Sequence, residues 1–332
     1  MSGSAVTIRD VAKLAGYSVA SVSRVLNGAG KVNPATRDKV IAAVQELGYS
    51  PNLAARSLST ARSQAIGVVL PDMHGEFFSE LVRGMDQAAS ARGYLLLLSN
   101  IHADPLMAGQ ALQAMRGRVD GVIVMAPQLA EHERESALPR GLPAVLVNSP
   151  GNTGHPALRI DNTTGVTAMV RHLVDTGRRA IVHLGGMSAN IDACERAGAY
   201  RAAMAAYAPG LPVRVIEGNF DEDSGAELTR QLIAEGMPAD AIIAGNDMMA
   251  LGALYTLREA GIAVPEQVAV GGFDGVPLAH YLDLTTVSVD IVGLGRRAVE
   301  RLLDTLSGQI GDTETELCNT RLVIRATTGA RA

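Results

Sequence analysis

The chain has 332 residues, 47% of them hydrophobic and 19% charged, with a net charge of -5. That length supports roughly two or three folding units of ~100–200 residues. No apolar run approaches the roughly 20 residues that span a bilayer, and residues 1–20 lack the basic, apolar and small-residue order of a secretory signal, so a cytoplasmic protein without a membrane partner is expected.

The charge is unevenly spread. Residues 1–62 carry eight Lys/Arg against three acids, a net +5, which leaves -10 on the remainder. A small basic module on an acidic body is the layout of a protein whose head meets phosphates while its body avoids them. Cys194 and Cys318 stand far apart without Cys/His spacing for a metal or a disulfide framework. They read as reduced thiols, and no metal or cofactor is expected.

Thr7 precedes Ile8, Val11, Ala12 and Ala15 at helical spacing, and Gly16 permits the left-handed backbone of a tight turn. Ser18 offers a fresh N-cap before a second helix over Val19 to Asn27. Ala12 permits close approach of the two helices and Val22 faces inward, which leaves Val19, Ala20, Ser21, Ser23 and Arg24 outward. This is helix-turn-helix spacing. A third helix starts at Asn33-Pro34, carries Val40, Ile41, Val44 and Leu47 on one face, and stops at Gly48.

Beyond Ala65, apolar runs alternate with helical stretches: 66–70, 94–98, 121–125 and 144–147, then, after a restart at Thr163, 180–184, 213–216, 241–244 and 268–272. Continuous apolar strands separated by helices predict parallel sheets, here in two α/β lobes. Ligands in such sheets sit beyond the carboxyl ends of the strands. Asp72, Asn148, Asn246-Asp247 and Phe273-Asp274 occupy those positions, and Phe77, Phe78, Phe220 and Phe273 all fall in crevice segments. Amides and carboxylates beside aromatic faces suit sugar hydroxyls and the apolar C–H surface of a pyranose.

The run from Thr7 to Asn27 closely resembles the DNA-binding head of the lactose/galactose repressor (LacI/GalR) family. The similarity continues through Arg37-Asp38-Lys39-Val40, Glu46 to Asn52 and Ala54 to Leu58. The resemblance implies a recognition helix in the major groove of operator DNA. Val19 and Ala20 would offer apolar contact, Arg24 would read guanine O6 and N7 with its fork, and Thr7, Ser18, Ser21, Ser23 and Asn27 would serve phosphates or base edges. Asn52 to Ser59 resembles the family's hinge helix, with Leu58 as the minor-groove wedge beside Arg56; a linker packed on the core is the other reading of Leu58.

The core also resembles the family, whose lobes are similar to type I periplasmic sugar-binding proteins, in Pro71-Asp72, Gly245 to Gly252 and Gly272-Phe273-Asp274. By this resemblance Arg196, Asn246 and Asp274 would hold ligand hydroxyls or a carboxylate, Phe220 would stack, and Asp72, Phe78 and Asn148 would line the opposite lobe. The family's usual Gly is displaced in Arg196-Ala197-Gly198-Ala199-Tyr200, which keeps a surface ion pair open for Arg196. Asp247 either caps the following helix or touches ligand.

The expected organisation is a head over 1–50, a hinge over 51–62 and a two-lobed core over 63–332. Lobe 1 takes about 63–162 and 291–317, and lobe 2 about 163–290 and 318–332. The expected function is a ligand-controlled repressor, binding near-palindromic DNA as a homodimer. Without a leucine-heptad tail after Arg325, a coiled-coil tetramer is not expected. An alternative keeps DNA binding but gives control to a phosphocarrier protein co-repressor. A sugar-processing α/β enzyme is the third class, disfavoured by the lack of a phosphate loop, nucleophile elbow or full dinucleotide fingerprint.

Overall fold

Asp10 starts the first helix, Ile8–Ala15, by reaching back to Thr7: its carboxylate accepts from the Thr7 amide at 2.8 Å and the Thr7 hydroxyl at 2.7 Å. Gly16, at φ 74°, ends the helix. Ser18 Oγ accepts from the Ser21 amide at 3.1 Å at the head of Val19–Leu26, and Asn33 Oδ1 accepts from the Ala35 amide at 3.0 Å at the head of Pro34–Leu47. Val11, Val22 and Val40 are fully buried between the three helices, with Ala12, Val25 and Ala43 around them. Ile41, expected on the inner face, is 37% exposed; it stands about 100° round the helix from Val40, and the inward stripe follows Val40, Ala43 and Val44 instead.

The computed structural model describes residues 6–26, 32–49, 62–102, 104–127, 137–138, 141–149, 154–308 and 313–329. The chain divides into two units, Met1–Ser63 and Gln64–Ala332. Asn27, Arg56, Leu58 and the whole expected hinge helix lie outside the described residues.

The second unit holds two six-stranded sheets. The first contains β1 (Ala65–Leu70), β2 (Leu95–Asn100), β3 (Gly121–Met125), β4 (Ala144–Val147), β5 (Ala157–Ile160) and β11 (Thr315–Cys318), in the order β11-β5-β4-β3-β1-β2 and parallel throughout. The second contains β6 (Ile181–Leu184), β7 (Arg214–Ile216), β8 (Ala241–Ala244), β9 (Ala269–Asp274), β10 (Thr285–Val289) and β12 (Thr320–Val323), in the order β12-β10-β9-β8-β6-β7, where β12 alone runs antiparallel to its neighbour. Every residue of β1, β3, β4, β6, β8 and β9 is buried, which is why these strands read as nearly continuous apolar runs, broken by His183 in β6 and by Asp274 at the end of β9.

The chain passes between the sheets three times, after β5, after β10 and between β11 and β12. Asp161 and Asp290, at the first two passages, each cap the helix that follows: Asp161 accepts from the Thr164 amide at 3.0 Å and Asp290 from the Gly293 amide at 2.9 Å. Helix Asn162–Asp175 packs on β10 and β12 of the second sheet, and helix Ile291–Leu306 on β3 and β4 of the first. One continuous apolar core runs through both lobes, and a smaller cluster fills the other face of the first sheet.

The run 94–98 departs from a doubly covered strand. β2 is an edge strand whose Leu95, Leu97 and Leu98 are 59%, 41% and 41% exposed. Among the described residues no helix is long and apolar enough to cross a membrane, and no group of three or more His, Cys, Asp or Glu could hold a metal. Cys194 is exposed and Cys318 buried, and neither is in a disulfide.

Candidate functional site

In the head, Thr7, Ser18, Val19, Ala20 and Arg24 are exposed while Ser21 and Ser23 are half-buried. Val19 and Ala20 open the second helix and Arg24 lies one turn beyond Ala20, so the three share a solvent-facing side, with Val22 and Val25 on the inner one. The Ser18 and Ser21 hydroxyls are 3.0 Å apart and hydrogen-bonded to each other.

In the core, a cleft of about 610 Å³ opens at the carboxyl ends of the strands of both sheets, and all seven residues expected to meet a ligand line it: Asp72, Phe78, Asn148, Arg196, Phe220, Asn246 and Asp274. Asp72 follows β1 and Asn148 follows β4 in one lobe; Asn246 follows β8 and Asp274 ends β9 in the other. Four cleft residues, His102 (49°), Asn148 (44°), Phe220 (73°) and Asp274 (111°), hold positive φ without being glycine. Such conformations cost on the order of 1–3 kcal/mol each and persist where surrounding contacts over-determine them.

Phe220 shows how. Its carbonyl accepts from Asn246 Nδ2 at 2.8 Å. The tip of its ring packs against Gly186, where a Cβ would come within 2.3 Å of the ring carbons. Asp221 follows and caps helix Glu222–Ala234 by accepting from the Ser224 amide at 2.7 Å. Asn246 therefore has two structural duties, since its Oδ1 also accepts from the Met249 amide at 2.9 Å as cap of helix Asp247–Glu259. One N–H and one lone pair remain for a ligand.

Arg196 is no surface residue: it is 5% exposed, which removes the surface ion-pair reading. It projects from helix Ile191–Tyr207. Nε donates to Asn162 Oδ1 at 2.9 Å, Nη1 donates to the Gly245 carbonyl at 2.6 Å, and Nη2 stands 3.6 Å from Asp274 Oδ1. The guanidinium carbon sits 3.6 Å from the Phe273 ring centroid. Phe273 is thus behind the arginine in the core and not in the cleft, unlike Phe77, Phe78 and Phe220. The displaced glycine does no harm, because Ala199 fits among buried neighbours and the Tyr200 hydroxyl donates to the Ile181 carbonyl at 2.7 Å.

Asp247 neither caps its helix nor lines the cleft. Its Oδ2 accepts from the Gly275 and Val276 amides at 2.8 and 2.9 Å and its Oδ1 from the Thr286 hydroxyl at 2.6 Å, tying the loop after β9 to β10. Burial pushes the Asp247 carboxyl up to about 7 and the Asp274 carboxyl up to about 8, the latter against the opposing pull of Arg196. Burial also raises Asp192.

Several cleft residues were not anticipated. Asp192 lies one helical turn before Arg196 and accepts from Asn162 Nδ2 at 2.8 Å; its i,i+4 spacing to the arginine was the available signal. His74 and Glu222 come from opposite lobes and meet at 3.0 Å at the cleft. Two more contacts join the lobes: the Leu278 amide donates to Glu76 Oε2 at 2.8 Å, and the Ile191 amide to the Pro127 carbonyl at 3.1 Å.

These features define a protein with a helix-turn-helix unit and a two-lobed ligand-binding unit of parallel sheets. Residues 7–52 match the model of bacterial regulatory proteins of the lacI family, and residues 170–328 match that of the periplasmic binding protein-like domain. Catabolite control protein A of Priestia megaterium is 33% identical over 97% of this chain and 99% of its own. The HTH-type transcriptional regulator GalS of Salmonella typhimurium is 35% identical over 96% of each chain. Among solved structures, the lac repressor dimer bound to operator and the anti-inducer ONPF superposes with a TM-score of 0.88 at 30% identity, covering 98% of this chain and 100% of that one. The complex of the transcriptional regulator CelR with cellobiose gives 0.72 at 29%, covering 97% and 99%.

The chain belongs to the lacI family of bacterial regulatory proteins. It is a DNA-binding transcriptional regulator under the control of a ligand, and the members of this family are DNA-binding regulators and not enzymes.

Proposed function

We propose that this chain is a repressor, not an enzyme, whose affinity for a near-palindromic operator is set by a neutral sugar bound in the core cleft. The observation that carries the reading is the buried Arg196–Asp274 pair opening on a cleft that also presents Phe78 and Phe220. A guanidinium with N–H groups to spare beside a carboxylate offers donor and acceptor side by side, as two adjacent hydroxyls require, and the aromatic faces suit a pyranose C–H surface. The CelR structure with cellobiose, a sugar in a regulator of this family, supports the same class of ligand.

The head, over 1–50, reads the major groove through Val19, Ala20 and Arg24, with Thr7, Ser18, Ser21, Ser23 and Asn27 on phosphates or edges. Arg56 and Leu58 of the hinge, 51–62, engage the minor groove. One small head has too few base contacts for an operator, so two copies act together in the cytoplasm. The exposed leucines of β2, with Leu106 at 78% exposure, suit a face between copies. Sugar binding shifts the core between two states that differ in how they let paired hinges form, which requires unequal affinity for the two states.

Thermal shift of the full chain against a panel of monosaccharides and disaccharides, followed by gel shifts on inverted-repeat duplexes with the hits, tests this. A sugar that stabilises the protein and changes operator affinity is expected. A response to a phosphocarrier protein and to no sugar overturns the reading.

A further inference from the structure

We propose that the cleft discriminates by charge: it accepts uncharged sugars and rejects their phosphorylated and carboxylated derivatives, with Asp192 as the discriminating residue on its floor. This rests on the sugar reading above and narrows it.

Six carboxylates line the cleft, Asp72, Asp192, Asp221, Glu222, Asp223 and Asp274, and among the described lining residues Arg196 is the only arginine or lysine. An anionic ligand therefore has one permanent cation to bind, and that cation is already engaged by Asn162, the Gly245 carbonyl and Asp274. Of the two lining histidines, His74 and His102, His74 is paired to Glu222 at 3.0 Å.

Helix N-termini are the usual alternative anion site, because their free amides and dipole favour negative charge. Four helices begin beside this cleft, at Glu76, Ile191, Glu222 and Asp247. Each carries its own acid in the first turn: Glu76, Asp192, Glu222 with Asp223, and Asp247. Three also have their first amides capped, by Asn190, Asp221 and Asn246. The positions that would attract a ligand phosphate are filled by the protein's own carboxylates.

Asp274 already faces Arg196 at 3.6 Å; of the other cleft acids Asp192 is the most buried, 7% exposed, and lies one turn from Arg196. A ligand carboxylate or phosphate on the remaining N–H groups of Arg196 would compete with Asp274 for the guanidinium and meet Asp192 in a water-poor site, where like charges repel far more than in bulk solvent. A hydroxyl there donates to the Asp192 oxygen that Asn162 leaves open.

The test is calorimetry on the full chain with matched probes: glucose, galactose and ribose against glucose 6-phosphate, galacturonate and ribose 5-phosphate. For any neutral probe that binds, the anionic partner is expected to bind at least about tenfold more weakly. Asp192→Asn should narrow that ratio several-fold. As a check independent of the variant's folding, raising salt should narrow the wild-type ratio by screening the exposed rim acids. An anionic probe that binds as tightly as its neutral parent overturns this inference and leaves the sugar reading standing. An unchanged ratio in a folded Asp192→Asn protein overturns the role of Asp192, and binding of no probe from either set overturns the sugar reading together with the inference.

Discussion

Nη2 of Arg196 and Oδ1 of Asp274 stand 3.6 Å apart with both side chains withdrawn almost completely from solvent, 6% and 7% exposed. An arginine and an aspartate so placed would ordinarily hold the carboxyl low. Here burial, with smaller contributions from Asp247 and Asp192, outweighs the single guanidinium, so the Asp274 carboxyl is pushed up to about 8. The pair is thus held together at some cost to the empty protein.

Asp274→Asn measures that cost. An acid whose folded pKa is raised contributes stability below its unfolded value that is lost as pH rises through the folded one, so the wild-type protein loses stability between about pH 4 and pH 8 on this account. Asparagine removes the charge and tolerates the 111° φ better than most residues. The variant should melt at least about 2 °C higher than wild type at pH 8.5 and about equally at pH 4, the equivalent of roughly 1 kcal/mol. It should also lose its sugar response. A variant that melts lower at pH 8.5 contradicts the account.

Gly186→Ala should separate sensing from DNA binding. Its Cβ would fall 2.3 Å from the Phe220 ring, which must then leave the cleft floor. Overpacking of this kind costs about 1–3 kcal/mol, too little to unfold a domain of this size. Operator affinity without sugar should stay within about twofold, while sugar affinity falls at least tenfold, a change of about 1.4 kcal/mol. Gel shifts and calorimetry on the same preparation check both; equal loss of both functions means the ring is structural only.

The contrast between Phe220 and Phe273 shows what could be read from the chain and what could not. Strands buried on both faces, such as Gly121–Met125 and Ala241–Ala244, announce themselves because every position must be apolar. β5, with Arg159 half-buried within it, and the short, partly exposed β11 and β12 carry no such pattern and went unread. Residues after strand ends were found by position alone, which puts Asp72, Asn148, Asn246 and Asp274 at the cleft. Position does not reveal direction: Phe273 turns into the core behind Arg196, and Asp247 turns from the cleft to Thr286, 39 residues on. The His74–Glu222 contact joins residues 148 apart, beyond any local signal.

In the head, Arg24→Ala should reduce specific operator binding by about 1–3 kcal/mol, the worth of a bidentate guanine contact. Arg24 is exposed and outside the Val11–Val22–Val40 core, so melting of the head should not change. Fluorescence anisotropy with the preferred inverted repeat and with random duplex distinguishes two roles. A loss confined to the inverted repeat identifies base reading, and an equal loss on both duplexes identifies a phosphate contact.

The His74–Glu222 pair should make cleft closure depend on pH. The hydrogen bond and charge of Glu222 raise His74 from 6.5, with smaller contributions from Asp72 and Asp221, and the His74 contact in turn lowers Glu222 from 4.5. A raised histidine contributes stability that is present below about pH 6.5 and is lost as pH climbs through its folded value. A lowered glutamate contributes stability that is present above about pH 4.5 and is lost as pH falls. The latch is therefore closed between those limits and weakens toward pH 8. His74 is 58% exposed, so solvent screening keeps the effect small, and it shows best in rates. Sugar dissociation measured by stopped flow should quicken several-fold from pH 6 to pH 8 in the wild type, and His74→Gln should weaken the dependence, leaving the part that belongs to Asp247 and Asp274. Glu222→Gln, which leaves the imidazole without its anion, should weaken it to the same extent; a pH dependence unchanged by either substitution assigns it to other groups.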